Sequence, residues 1–169
     1  NINLELNCNK NEIIIYNGQL TLIGKELKES NLIIVNIKNA LKNNIANARD
    51  IFKQAKKCCT FPNDKLSKLD NGLFLHAPNH SDIKDPITIT HIVDKNINSN
   101  NFLKITSLIS IGENINIKII SKENLIINTF INETSYIKVN NNSSLEYIQS
   151  SEKPSTKQLL NLYADIEKN

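Results

Sequence analysis

Two segments of this chain repeat one pattern at a distance of 28 residues. Residues 109–120 (ISIGENINIKII) and 137–148 (IKVNNNSSLEYI) each start with two apolar residues spaced two apart, pass through a polar turn, and end in a strand with alternating apolar residues. A short-strand unit that recurs at a fixed period is typical of stacked repeats, in which each unit buries its apolar side against the next. We therefore predict stacked β-strands that present a surface for binding or assembly.

The spacing of apolar residues divides the chain into a mixed N-terminal part and a β-rich remainder. From about residue 72 onward the sequence is rich in β-branched and apolar residues, with short polar breaks. The predicted strands are 73–77, 87–93, 102–111, 115–121, 125–131, 136–139, 145–149 and 158–166, and the predicted breaks are 112–114, 122–124, 132–134 and 140–144. An antiparallel sandwich would also give many short strands, but the 28-residue repeat favours a right-handed parallel β-helix.

The N-terminal part, residues 1–69, reads as a small α/β region that precedes β-helix coils in residues 70–169. Strands are predicted at 12–16, 19–23 and 32–35. Asn17-Gly18 marks a hairpin turn because both residues tolerate positive φ. A basic amphipathic helix is predicted at about 36–57, with Asn36 as its N-cap. Its lysines either bind a partner or form a solvated face.

Composition limits the classes of function. The chain has 169 residues, enough for one domain or one domain with a small appendage, and a formal net charge of +3. That charge, with Arg49 as the single arginine, argues against nucleic-acid binding. Neither a membrane-spanning apolar run nor a signal peptide is recognisable, so we expect no membrane association. Because the chain contains no Met, we expect a processed product, a trimmed version or a fragment of a longer protein.

The histidines do not form a convincing metal site. His76 and His80 are four residues apart, a spacing that binds zinc when both side chains lie on one helical face. Pro78 lies between them and the flanking sequence is strand-like, so their rings need not converge. His91 lies in an apolar run and reads as a structural histidine. We therefore predict no metal ligands.

The cysteines carry no clear chemistry either. Cys58 and Cys59 are adjacent, and they read as buried small side chains more readily than as a reactive thiol pair. Cys8 lies in a polar N-terminal stretch that is expected to fray. Three cysteines make no disulfide framework, which favours a reducing compartment. Neither a G-x-S-x-G nucleophile turn nor a phosphate loop is present, so we predict no catalytic or cofactor-binding residues.

Three glutamates recur at ten-residue intervals in the β-rich part. Glu113, Glu123 and Glu133 all fall in predicted polar breaks, where they would keep the corners of the coils soluble. A polysaccharide-cleaving β-helix would need acidic residues gathered on one face, and a row of these turn glutamates is a candidate for it. We predict solvated corners.

Three segments together resemble the SufB/SufD family, the β-helical scaffold subunits of the SUF iron–sulfur cluster assembly system (SufBCD). Residues 71–78 (NGLFLHAP), followed by 86–89 (PITI), are similar to the start of the family's β-helix. Residues 107–119 are similar to a family coil with its turn, and residues 127–152 are the most similar part. The order and spacing of the segments match, and the chain resembles SufD more than SufB because it lacks SufB's richness in cysteine.

The resemblance implies a non-catalytic scaffold subunit, or its N-terminal part, that pairs with SufB-like and SufC-like subunits. The complex would handle an iron–sulfur cluster, with ATP bound by SufC, in the cytoplasm or alternatively in the plastid stroma. Family members have further coils and a helical C-terminal domain, which carry the SufC contact and the residues implicated in cluster formation. We therefore expect the coil series to be cut off here, and no site residue is transferred. Other readings are a SufB-like paralogue, a structural β-solenoid, and a homodimer through an exposed terminal coil.

Overall fold

The computed structural model describes residues 7–58, 71–94, 102–125, 130–151 and 158–167. These ranges contain ten β-strands and three α-helices. The elements are, in chain order, β1 (Glu12–Tyr16), β2 (Gln19–Ile23), α1 (Lys25–Glu29), β3 (Ile33–Asn36), α2 (Ile37–Asn43), α3 (Ala48–Cys58), β4 (Gly72–Ala77), β5 (Ile87–Val93), β6 (Phe102–Ile111), β7 (Asn116–Leu125), β8 (Phe130–Val139), β9 (Ser144–Ser151) and β10 (Gln158–Ile166). A 3-10 turn, Ile45–Asn47, separates α2 from α3.

The fold is mainly β and consists of two five-stranded mixed sheets. The first sheet has the order β2-β1-β5-β7-β9, and the second has the order β10-β8-β6-β4-β3. The pairs β1–β2 and β3–β4 are antiparallel, and the other six pairs are parallel. From β4 onward, successive strands alternate between the sheets, so each strand from β6 on pairs with the strand two before it. The N-terminal strands therefore extend the same two sheets that the later strands build.

The sequence repeat reappears as the register of the strands. Ile109 of β6 pairs with Ile137 of β8, and Ile117 of β7 pairs with Leu145 of β9, in each case 28 residues further along the chain. Apolar side chains at alternate positions of each strand face the opposite sheet, because successive side chains of a strand point to opposite faces. The main core lies between the sheets. It contains Ile13, Ile15, Leu73, Leu75, Ala77, Ile87, Ile89, Ile109, Ile111, Ile115, Ile117, Ile119, Ile137 and Val139, among others.

The polar turns of the two repeats have the same backbone conformation at equivalent positions. Asn114 precedes β7 and Asn142 precedes β9, and both have φ near 57°. Asparagine tolerates this left-handed conformation better than most residues, because its short polar side chain can hydrogen-bond locally. The predicted turns at 112–114 and 140–144 are therefore confirmed. The hairpin turn at Asn17-Gly18 is confirmed too, with φ of 49° and 81°.

The helices cover the outer face of the second sheet. Phe74, Leu108 and Tyr136 lie on adjacent strands and point away from the main core. Against them pack Ile37, Ala40, Leu41, Ala48, Ile51, Phe52 and Ala55 from α2 and α3. The apolar stripe of the predicted amphipathic helix is thus used for packing on the sheet.

The prediction of one continuous helix at 36–57 is wrong, because two helices occupy this range. Asn36 does cap α2, since its side chain accepts a hydrogen bond from the backbone N–H of Lys38 at 2.9 Å. The chain then leaves the helical conformation at Asn44 and Ala46, which have φ of 50° and 44°. Arg49 donates from Nε to the carbonyl oxygen of Leu41 at 2.7 Å, so the single arginine satisfies the end of α2. The short helix α1 was not predicted.

The predicted breaks at 122–124 and 132–134 are also wrong. Both lie inside regular strands, β7 and β8. The predicted strand at 125–131 is replaced by the end of β7 and the start of β8, with residues 126–129 outside the described part. The reason is that polar residues occupy positions facing the opposite sheet here, which interrupts the apolar pattern without interrupting the strand.

Candidate functional site

The two sheets end unevenly at the side where the chain leaves them. In the described part of the chain, the second sheet contains β4, β6, β8 and β10, whereas the first contains β5, β7 and β9 after β1. Each of β4, β6 and β8 is followed by a strand of the opposite sheet, and β10 is the last strand of the described residues. We call this side the open end. It consists of β10, the free edge of β9 and the space between them.

The side of β10 that faces the opposite sheet is apolar and exposed. Four residues occupy the positions in line with the inward residues of β8, and they are Leu160, Leu162, Ala164 and Ile166. Leu160 is 41% exposed, Leu162 52% and Ile166 67%. Their register neighbours on β8 are all buried. Apolar side chains gathered on one edge in this way typically mark an interaction surface.

β9 and β10 are edge strands of their sheets in the described part of the chain. β9 is last in the first sheet and β10 is last in the second, and each pairs on one side only within the described residues. β10 is nine residues long and β9 is eight, so each offers a long template for pairing with another strand. Such edges support β-augmentation, in which backbone hydrogen bonds supply affinity and side-chain pockets supply specificity.

Beneath the open end lies a group of buried polar side chains, which we call the polar layer. It comprises His91, Ser121, Glu123, Glu133 and Ser135, together with the half-buried Tyr147, all at positions that face the opposite sheet. His91 Nε2 lies 3.7 Å from Glu133 Oε1, and Ser135 donates a hydrogen bond from Oγ to the same oxygen at 3.3 Å. His91, Glu123 and Glu133 are each only 3% exposed. Two carboxylates in this position need compensating partners, because burying an ionised group is costly.

The prediction that Glu123 and Glu133 lie at solvated corners is therefore wrong. Glu113 alone of the three is in a turn; it donates its backbone N–H to Asn79 Oδ1 at 2.9 Å. Glu123 and Glu133 keep the two-residue phase of the apolar residues that precede them, such as Ile119 and Ile131. This alternation is the sequence signal that could have predicted their inward orientation. It indicates which sheet face a side chain points to, even where the residue itself is polar.

Burial raises the pKa of the Tyr147 hydroxyl to about 12, and the Glu133 carboxylate acts in the same direction. This folded-state pKa lies above the ordinary value of about 10, so the neutral form contributes stability that is lost as the pH rises through that interval. We expect the folded protein and Tyr147→Phe to show equal tyrosinate absorbance up to about pH 11. After unfolding in urea at the same pH, the wild type should show the absorbance of one more ionised tyrosine than Tyr147→Phe. A folded-state difference near pH 10 would contradict this burial.

The other histidines are placed apart in the fold. His76 lies on the outer side of β4 with its ring stacked near Phe74, at 6.4 Å between centroids, and burial lowers its pKa. His80 follows in the connection to β5, with φ of 61°. Among the described residues, no group of three or more His, Cys, Asp or Glu side chains lies close enough to hold a metal ion.

Of the three cysteines, Cys8 is the one whose surroundings the structure describes. Cys8 donates from Sγ to the carbonyl oxygen of Glu12 at 3.2 Å, and burial raises the pKa of its thiol. A raised pKa disfavours the thiolate, which is the reactive form. Cys58 is the last residue of α3, and Cys59 lies outside the described residues.

None of the helices in the described ranges is both long and apolar enough to cross a membrane. Comparisons with known protein families, with characterised proteins and with solved structures found no match.

Proposed function

We propose that this chain is a SufD-like, non-catalytic scaffold subunit of iron–sulfur cluster assembly, built as a right-handed parallel β-helix after a small α/β region. The observation that carries the proposal is the pairing of parallel strands at a 28-residue register. A ladder of this kind is stiff along its length because each strand contacts only its neighbours. It is therefore suited to hold a partner at its end.

In this role the chain would dock a SufB-like subunit and respond to a SufC-like ATPase. ATP binding and hydrolysis would belong to the SufC-like partner, and the iron–sulfur cluster would be the cargo of the complex. The chain's own contribution would be mechanical. Rows of stacked isoleucines, such as Ile109 with Ile137, resist sliding because a one-residue slip would turn every inward side chain outward.

An alternative from another class is a polysaccharide-acting β-helix enzyme. That reading needs several acidic side chains on one accessible face. Glu123 and Glu133, which were the candidates for such a row, are buried between the sheets. The geometry therefore favours a docking function over a sugar-cleaving one. A SufB-like paralogue or a structural solenoid would use the same edge, and only the identity of the bound partner separates them.

Co-purification with SufB-like and SufC-like subunits tests the proposal. We expect the tagged chain to retain the SufB-like subunit, and Leu162→Asp to lower the retained amount by more than about tenfold, because a charge in the buried centre of an interface is left desolvated. Ile148→Asp is the matched control. Ile148 is 39% exposed but lies on the outer face of β9, so its partner binding should be unchanged. Failure of the wild-type chain to retain the SufB-like subunit would contradict the proposal.

A further inference from the structure

We propose that the outward face of α2 and α3 binds an acidic segment of another polypeptide. We call this face the basic face, and its basic residues are Lys38, Lys42, Arg49, Lys53, Lys56 and Lys57. The inference is independent of the scaffold role proposed above, because it uses neither β9 nor β10.

Positive charge is concentrated in this part of the chain. Residues 37–57 contain six basic residues and one acidic residue, a net charge of +5, whereas the whole chain has a formal net charge of +3. The rest of the chain is therefore weakly acidic, with a net charge of −2. A surface that carries charge of one sign attracts ligands of the opposite sign and raises their rate of association. The basic face is thus matched to an acidic partner.

The packing of the helices turns this charge outward. The apolar sides of α2 and α3 are buried on the outer face of the second sheet. Lys38 and Lys42 are four residues apart on α2, and Lys53 and Lys57 are four residues apart on α3, so each pair lies along one side of its helix. All six basic side chains are exposed. The two helices therefore present their cations on one surface.

The short helix α1 shows a different balance of charge. Its five residues, KELKE, contain two lysines and two glutamates, and Lys25 Nζ lies 3.8 Å from Glu29 Oε1. Surfaces that serve only solubility typically intersperse both signs in this way. On the basic face, Asp50 is the single acidic residue of α2 and α3, and its Oδ1 lies 3.0 Å from Lys53 Nζ. The excess of cations is therefore a property of these two helices and not of every helix in the described residues.

Two other classes of anionic partner fit the basic face less well. Nucleic-acid recognition commonly uses the guanidinium group, but Arg49 already donates from Nε and Nη2 to the backbone carbonyl oxygens of Leu41 and Lys42. An amphipathic helix binds a membrane by inserting its apolar side, and that side of α2 and α3 is buried against the sheet. Ammonium groups on flexible stems suit the separate carboxylates of an acidic polypeptide.

Binding of labelled acidic peptides to the whole chain tests the inference. The probe is a twelve-residue peptide of alternating glutamate and serine, and its matched control has glutamine in place of each glutamate. We expect fluorescence anisotropy to show at least about tenfold tighter binding of the glutamate peptide at about 50 mM salt. At about 300 mM salt this advantage should fall below about threefold, because salt screens exposed charges.

Two double variants of equal net charge locate the effect. Lys53→Glu with Lys57→Glu reverses two charges on the basic face, and Lys25→Glu with Lys28→Glu makes the same change on α1. We expect the first to weaken the glutamate peptide by more than about tenfold and the second by less than about threefold. Lys53→Gln with Lys57→Gln places no negative charge at the end of α3, and it should weaken the peptide by about threefold.

Equal binding of the glutamate and glutamine peptides to the wild type would overturn the inference, and so would binding of neither. Equal losses in the two charge-reversed variants would also overturn it, because net charge and not the basic face would then be responsible. Tighter binding to phosphatidylserine vesicles or to duplex DNA than to the glutamate peptide would overturn it in favour of a membrane or a nucleic acid.

Discussion

Replacing Gly72 with alanine is expected to lower the free energy of unfolding by about 3 kcal/mol or more. Gly72 starts β4 with φ of 131°, a conformation that side chains rarely adopt. A Cβ atom there would lie 1.8 Å from the carbonyl oxygen of Thr106 and 2.7 Å from its carbonyl carbon. Thr106 is the register partner of Gly72 on β6, so relief requires separating two paired strands. The first step of the parallel ladder would be lost.

Urea unfolding followed by circular dichroism measures this effect, with Gly18→Ala as its control. Gly18 also has positive φ, 81°, but a Cβ atom there would meet side-chain atoms, at 2.9 Å from Asn71 and 3.2 Å from Leu103. Side chains move more readily than paired backbone, so we expect a loss of about 1 kcal/mol. Similar unfolding midpoints for the two variants would show that the backbone contact at Gly72 is relieved without cost.

Replacing Phe74 with alanine is expected to lower the free energy of unfolding by about 3–5 kcal/mol. Phe74 is fully buried on the outer face of the second sheet, between β4 and the helices α2 and α3. Truncation removes the ring and leaves a cavity that its neighbours fill only in part. Because the helices contact the sheet through this cluster, their anchoring should weaken before the strand ladder does.

The same denaturation experiment, combined with hydrogen exchange of the helix amides, separates the two effects. Phe130→Ala is the matched control, since Phe130 points to the same face of the second sheet but is 37% exposed. Its loss should be below about 1 kcal/mol. For Phe74→Ala we expect amide exchange to become faster in α2 and α3 by a larger factor than in β6 and β8. Equal destabilisation by both substitutions would contradict the role assigned to Phe74.

Strand positions were predictable where no run of three polar residues interrupts the β-branched and apolar residues. The ranges 12–16, 19–23, 87–93, 102–111 and 158–166 match β1, β2, β5, β6 and β10 at both ends. The prediction failed where three polar residues in a row lie inside a strand, as at 122–124 and 132–134. Local pattern then suggests a turn, but burial in the polar layer keeps the strand intact. The prediction of one continuous helix at 36–57 failed because helical periodicity does not reveal the break between α2 and α3. The side-chain hydrogen bonds of Arg49 stabilise that break.

The sequence predicted that the stacked strands present an assembly surface, but it did not predict which residues form that surface. Stacked strands implied an assembly face, but no residue pattern marks Leu162 as different from the buried residues on other strands. Its exposure depends on the absence of a strand opposite β10 in the described part of the chain. The SufB/SufD resemblance suggests which partners to test, and it stays a proposal until they are tested.

The sequence by itself determined the 28-residue register and the two asparagine turns that allow it. Both are local properties, because alternation sets the side of the strand on which a residue lies and φ preference sets where the strand can turn. Only the tertiary structure decided that His91 meets Glu133, and that β1 and β3 extend the same two sheets as the later strands. These outcomes depend on which strands lie opposite each other across the core, and that pairing follows from long-range packing.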